Sequence, residues 1–359
     1  MRWALIAALA LLPAVAAAEN SGATRLGVYQ DDDHTLVVTP VVAVSAAPSE
    51  GARVDARYLA DMVTSSSVDL VSAATEEFSE RRDDLSLSAG YTTQKKFSFG
   101  AGYDWSHERD YVSHTVSGNV GQELFDRNLQ LSLGWATSFN TVGRSGDPTF
   151  SEQMTNHSLT VSGAQVLGKG SILRLTYQGQ RAEGFQASVY RYVEVGGFAA
   201  SYRQPEVVPD VRWRHAAAVA LNQHLGGPLF GQADYRLYRD TWGVLGNTFN
   251  VRLILNLLPG LDLHLRERVH LQGAADFYAE RYDAPQTYMT SDKELGGLWS
   301  STTGLKLDYL WRAAAGGGWG VSGVGVDVKA DYLTIRYDAF ARLDGLSAWI
   351  GEVGTRVLF

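Results

Sequence analysis

The chain has 359 residues, a formal net charge of −8, no cysteine, and 37 Gly, 17 Tyr, 13 Phe and 9 Trp against 9 Pro. Without cysteine there is neither a disulfide framework nor a thiolate metal site, and so much apolar and aromatic content excludes a disordered chain. The acidic balance speaks against a nucleic-acid binder, which carries a basic footprint.

The first segment reads as an export signal. Arg2 gives a positive start, Trp3 to Val15 is apolar apart from Pro13, and Ala16-Ala17-Ala18 supplies small residues at a cleavage point. The expectation is a signal peptide over 1–18 and one domain over 19–359, because no Pro- or Ser-rich linker divides the remainder. The apolar run is shorter than the roughly 20 residues a spanning helix requires.

From there the pattern is alternation. Phe97, Phe99, Ala101, Tyr103 and Trp105 alternate with Ser98, Gly100, Gly102 and Asp104; Leu129, Leu131, Leu133 and Trp135 alternate with Gln130, Ser132 and Gly134. Successive strand side chains point to opposite faces, so each segment has one apolar and one polar side. Sixteen strands are predicted: 24–30, 35–45, 52–62, 78–92, 97–107, 111–121, 129–139, 157–167, 171–181, 211–224, 230–239, 247–256, 261–271, 298–310, 324–337 and 346–359. Fourteen or eighteen are the alternatives, since the first strand is short and 188–202 has room for a hairpin. Many run about ten residues or more, the length a tilted strand needs to cross a bilayer. Aromatics gather towards segment ends (Tyr103, Trp105, Tyr235, Tyr238, Trp299, Tyr309, Trp311), as interfacial girdles do. Long connections are expected at 63–77, 140–156, 182–210 and 272–297, all on one side, with tight turns on the other. The predicted fold class is therefore all-β, a transmembrane antiparallel up-and-down barrel in the outer membrane of a Gram-negative bacterium. Closure follows from hydrogen bonding, because unpaired edge groups are too costly in hydrocarbon.

Asp31-Asp32-Asp33 sits in a predicted tight turn. It reads first as an exposed acidic turn and second as a weak site for a hard cation such as Ca²⁺. Thr64 to Thr75, including Ser65, Ser66, Ser67 and Asp69, is built of small residues where a solvated loop would favour Gly, Pro and Asn. That composition suggests a constriction loop folded against the wall. His107, Glu108, Asp110 and His114 cluster around one outer turn and raise a rim hydrolase as a remote reading, but no nucleophile-elbow serine accompanies them. No enzymatic activity, cofactor or metal is expected.

Later strands carry the lumen chemistry. Asp262, His264, Arg266, Arg268 and His270 lie opposite the leucines of their strand, and the same phase turns Arg174, Arg212, Arg214, Arg236, Arg252 and Lys306 inward. The early region has the opposite bias, with Asp55, Asp61, Asp83 and Asp84 among its acids. If acidic and basic walls share one lumen, they set up a transverse field that selects polar or anionic solutes; the alternative is a lumen filled by salt bridges. The leading function is a pore or transporter for such solutes. Its alternative is a plugged barrel that scaffolds a periplasmic or surface partner. The last strand alternates to a terminal Phe359, like the signal read by the barrel-assembly machinery, and the other expected partner is outer-membrane lipid.

Several stretches also resemble a known family. Gly27 to Asp33, Thr39-Pro40, Asp61 to Thr75, Glu108 to His114, Leu124 to Asn128 and Val142-Gly143-Arg144 are similar to the bacterial outer-membrane proteins of domain-of-unknown-function family 3570. The resemblance is strongest over 27–146. It implies an outer-membrane barrel of unassigned function and supplies no catalytic residues.

Overall fold

The computed structural model describes residues 20–65, 78–196, 201–313, 320–340 and 342–359. The first eighteen residues, Ser66, Ser67 and Asp69 lie outside that range. In chain order the strands are β1 (Ser21–Asp31), β2 (Thr35–Ala46), β3 (Ala52–Ser65), β4 (Phe78–Thr92), β5 (Phe97–His107), β6 (Tyr111–Leu124), β7 (Leu129–Arg144), β8 (Asp147–Gly168) and β9 (Ser171–Gly184). They continue as β10 (Tyr192–Val195), β11 (Tyr202–Pro205), β12 (Val211–Gly226), β13 (Leu229–Asp240), β14 (Leu245–Leu258), β15 (Leu261–Gln272) and β16 (Arg281–Tyr282). β17 (Leu298–Arg312), β18 (Gly323–Tyr337) and β19 (Gly345–Leu358) complete the series.

Sixteen of these close an antiparallel barrel in the order β1-β2-β3-β4-β5-β6-β7-β8-β9-β12-β13-β14-β15-β17-β18-β19. The seam is a full ladder, from Ser21 opposite Leu358 to Asp31 opposite Ala348, so neither terminal strand leaves an edge for hydrocarbon to strip of hydrogen bonds. The alternation places Phe97, Phe99, Tyr103, Leu131, Leu133, Trp135, Leu253, Leu265, Leu305 and Val353 on the outer surface, all exposed. Carboxylates also occur on that face. Glu267 points outward midway along β15, where it accepts hydrogen bonds from the Ser301 (2.6 Å) and Thr303 (2.6 Å) hydroxyls.

One end of the barrel, the turn end, carries the start of β1, the end of β19 and the tight turns that include those at 92–97, 168–171 and 258–261. The β14–β15 turn shows why its residues are fixed. Gly260 has φ +82°, and a Cβ there would lie 2.4 Å from the Leu310 carbonyl oxygen; only glycine accepts both constraints. The opposite, loop end carries the long connections.

Two sequence expectations change. The long connection expected at 140–156 is instead strand: β7 and β8 run to a two-residue turn at Ser145-Gly146, with Gly146 at φ +83°. The bilayer sets only a minimum strand length, so a ribbon of Thr, Phe, Gln and Asn can continue pairing above it. The hairpin allowed for within 188–202 exists as β10 and β11, but it pairs with β16 in a separate three-stranded sheet and adds nothing to the barrel.

That sheet belongs to a cap made of residues 185–196, 201–210 and 273–297. Val193, Val195, Tyr282 and Met289 form one buried cluster, and Val208, Trp242, Val244 and Ala275 a second, against which Tyr238 packs. Tyr238 thus faces inward and supports the cap instead of joining an outer girdle. The cap is anchored on distant parts of the rim. The Tyr190 hydroxyl donates to Asp110 in the β5–β6 turn and accepts from the Ser145 N–H in the β7–β8 turn. The Tyr278 hydroxyl donates to the Ala339 carbonyl between β18 and β19 (2.5 Å). On the shorter way round the ring only β19 and β1 to β5 separate the Asp110 and Ala339 anchors, so the cap has attachments on both sides of the mouth.

Candidate functional site

The interior divides into sectors by which residues the two-residue period turns inward. From β15 through β19 to β1 the wall is a continuous ion-pair network. Arg266 bonds Asp331 (2.7 Å), which also meets Lys329 (3.1 Å); Lys329 bonds Glu352 (2.7 Å); Glu352 and Asp327 both bind Arg25 (2.7 and 3.1 Å); Lys306 reaches Asp308 and Asp327 (2.9 and 3.6 Å). Glycines make this possible. Arg266, Gly304 and Asp331 share one row across three strands, and a Cβ on Gly304 would lie 2.1 Å from the Asp331 carboxylate. Gly354 stands likewise between Arg25 and Asp327, with its Cβ position 2.6 Å from the acid. Each bridge crosses a strand through space that any side chain would fill.

The next sector turns the acids Asp234 and Asp262 inward, which accept from the side-chain amides of Asn250 (2.8 Å) and Asn256 (2.5 Å) and not from the arginines beside them. Arg174 on β9, Arg236 on β13, Arg252 on β14 and Arg268 on β15 point inward, and no carboxylate pairs with them among the described residues. Arg236 lies 5.5 Å from the Tyr238 ring centre. His264 and His270 share this face; His270 Nδ1 is 2.9 Å from the Thr248 hydroxyl. Arg212 instead forms a buried pair with Asp240, its Nε donating at 2.8 Å, and Arg214 bonds Gln180 at 3.1 Å. The wall expected to be lined with cations is therefore split: Arg266, Lys306 and Arg212 are neutralised by acids that sequence spacing did not pair with them.

Facing the arginines in ring order, β3 to β5 turn Asp55, Asp61, Asp84 and Asp104 inward. Arg53 holds Asp55 (3.0 Å), while Arg82 and Arg57 approach Asp84 (3.5 and 4.0 Å). Asp83, read from sequence with these acids, is on the outer face, where Tyr58 donates to it (2.5 Å). Between the charged sectors, β6 to β8 present Ser113, Thr115, Ser117, Ser132, Gly134, Ser138, Ser158 and Thr160, small and uncharged.

The Asp31–Asp33 turn is not assembled as a cation cage. Asp31 accepts from the Thr35 N–H (2.7 Å) and the Tyr29 hydroxyl (2.9 Å), and Asp32 from the Ser347 N–H (2.9 Å). Asp33 is buried, where an exposed turn was expected. The carboxylates that do converge are Glu80, Glu108 and Asp110 at the loop end. Burial pushes the Glu108 carboxyl above the usual range, with Asp110 and Asp61 adding to the rise against the pull of Arg82. A recess of about 320 Å³ lies nearby, lined by Arg82, Asp84, Asp104, Glu108 and Tyr111. His107 and His114 point to the outer surface, not into that recess. His107 stacks on Trp105 (5.8 Å), and His114 Nδ1 meets the Tyr103 hydroxyl (2.7 Å). Of the four residues expected in a constriction loop, only the Ser65 backbone is described, at the end of β3.

The profile of the family described as "Protein of unknown function (DUF3570)" matches residues 71–159 and 147–322, together more than half of the chain, and the chain belongs to this family. The match starts later than the sequence resemblance and extends much further, across most of the barrel. None of the curated proteins matches the chain. Among solved structures it is similar to CdiB from Acinetobacter baumannii, at 9% identity and TM-score 0.53, covering 95% of this chain and 60% of CdiB. It is also similar to a bacterial polysaccharide outer membrane secretin, at 10% identity and TM-score 0.51, covering 95% and 98%. OccK5 (OpdH) of Pseudomonas aeruginosa aligns at 10% identity and TM-score 0.48, covering 95% and 98%. At such identities the likeness is one of fold: this is an outer-membrane β-barrel fold.

Proposed function

We propose that the protein is an outer-membrane pore for small polar and anionic solutes, exported by its 1–18 segment and assembled through the strand ending at Phe359. The observation that carries this reading is the set of four inward arginines, Arg174, Arg236, Arg252 and Arg268, with no carboxylate partner among the described residues. A guanidinium is always charged and presents a rigid fork of donors. Unpaired arginines on a watery wall attract anions, while the opposing Asp61 and Asp104 orient dipolar solutes across the lumen. The hydroxyl sector on β6 to β8 offers exchangeable hydrogen bonds without holding an ion, which suits passage better than retention. His264 and His270 flank the same route. Solutes enter past the cap at the loop end, the outward end in barrels of this class.

Planar-bilayer recording tests the proposal. The wild type should give steady open steps and a reversal potential on the anion side in a salt gradient. Arg252→Glu with Arg268→Glu should move that potential towards cations while the steps persist. Arg266→Gln, at a position already neutralised by Asp331, should move it far less. An unchanged potential in the double reversal removes the arginines from the route.

A second reading has its own support. The cap is anchored on both sides of the mouth, and the β15–β1 sector is cross-linked by ion pairs, as in a closed structural barrel that scaffolds a periplasmic or surface partner. In that case the purified barrel gives no conductance steps.

A further inference from the structure

The outer face of the barrel carries a cluster of cationic and aromatic side chains spread over four adjacent strands. Near the loop end of β8, β9, β12 and β13 the lipid-facing positions read His157, Arg181, Trp213, His215 and Arg239, and the register sets them side by side. Arg181 is opposite both His157 and Trp213, and His215 is opposite Arg239. The side chains form a stack: the Arg181 guanidinium lies 5.5 Å from the Trp213 ring centre, Trp213 and His215 are parallel within 3° at 6.5 Å, and His215 stacks on Tyr177 at 6.2 Å with its Nδ1 2.7 Å from the Tyr177 hydroxyl.

Arg239 is exposed and has no carboxylate partner among the described residues. Arg181 is held by Glu183 (2.6 Å) through its terminal nitrogen, while its Nε is buried without a hydrogen-bond partner. Towards the turn end the same faces become apolar at once, with Leu159, Leu175, Ala217, Val219 and Leu237. Gly179 sits at the transition, between Leu159 and His215, and the Tyr177 ring lies over it, its hydroxyl oxygen 3.3 Å from where a Cβ would be.

Cations placed on the lipid side of a barrel, rather than in its lumen, meet lipid headgroups. We propose that this face docks the phosphorylated glycolipid of the outer leaflet, lipid A. Arg239 and Arg181 contact its phosphates, Trp213 lies at the headgroup level, and the acyl chains run down the apolar lane below Gly179. The order of chemistry along the strands, cation then ring then aliphatic, matches a phosphorylated headgroup above its chains. The assignment does not depend on what the lumen carries.

The test is thermal unfolding of the purified full chain in detergent, read by gel mobility, with three added lipids: bisphosphorylated lipid A, lipid A stripped of phosphate, and phosphatidylglycerol. Bisphosphorylated lipid A should raise the wild-type midpoint, and the other two should raise it much less. Arg181→Gln with Arg239→Gln should lose most of the shift, and Lys169→Gln, in a turn at the opposite end, should keep it. If the double variant folds poorly, Arg239→Gln alone should keep the lipid-free midpoint and show reduced lipid A occupancy by native mass spectrometry. A full shift in the arginine variants, undiminished occupancy in Arg239→Gln, or an equal response to phosphatidylglycerol or phosphate-free lipid A overturns the proposal.

Discussion

At the scale of single residues, the ion-pair sector depends on residues that carry no charge. Asp331 is almost fully buried, between Arg266 and Lys329, and the gap that admits it is Gly304. Replacing Gly304 with Ala places a methyl group 2.1 Å from the present Asp331 oxygen. Overpacking of this kind costs about 1–3 kcal/mol, so Gly304→Ala should lower the unfolding midpoint in urea. Combined with Asp331→Ala, which removes the clashing carboxylate, the loss should fall well short of the sum of the two single losses; strict additivity would show that the clash is not what Gly304 prevents. The sequence allowed half of this arrangement to be anticipated. A period of two was enough to turn Arg266 and Lys306 inward. It could not say that Arg266 reaches Asp331, because the pair lies two strands apart and depends on register and on an intervening glycine. Arg174, Arg252 and Arg268 turned inward on the same period. Their lack of an acid became visible only once the acids had been placed.

Among elements, the barrel strands were legible because lipid outside and water inside enforce strict alternation over a long run. Above the bilayer that constraint ends. Residues 140–156 are polar on both faces and read as a loop, yet they continue the β7 and β8 ladder. The cap was less legible still: β10 and β11 have four residues each and β16 two, too short for any period to register. Its stability has a pH signature. Glu206 is buried in the cap, accepting from the Ser188 N–H (2.5 Å) and the Thr290 hydroxyl (2.7 Å), and burial pushes its carboxyl above the usual range despite these bonds and nearby Arg191. The folded cap therefore binds a proton more readily than the unfolded segment. Between the ordinary carboxylate range and the raised value, stability is greatest at the lower pH and falls as pH rises. Amide exchange at Val193 and Val195, corrected for intrinsic rate, should show weaker protection as pH climbs through that window, and Glu206→Gln should flatten the trend. An unchanged slope in Glu206→Gln assigns the pH response to another group.

Over the whole molecule, the cross-linked wall and the wall of small side chains occupy different sectors of the ring. The seam where β1 meets β19 lies within the ion-pair network, so the ladder that closes the barrel is reinforced from inside by Arg25 binding Asp327 and Glu352. The β6 to β8 wall does the reverse. Small side chains there leave volume unfilled, and a Cβ on Gly134 would meet no atom within 4 Å. If solutes pass along this wall beside the unpaired arginines, space removed here must be felt by the current, whereas the filled seam has little to lose. Gly134→Trp should accordingly reduce single-channel conductance clearly without changing the sign of ion selectivity, because it adds bulk and no charge. Ala348→Trp is no useful control, since that buried site would disturb folding; Ser132→Trp, on the same wall one position further along the face, should repeat the effect. Undiminished conductance in both folded variants would move the route away from the hydroxyl wall and leave the arginines lining a recess that ions visit without crossing.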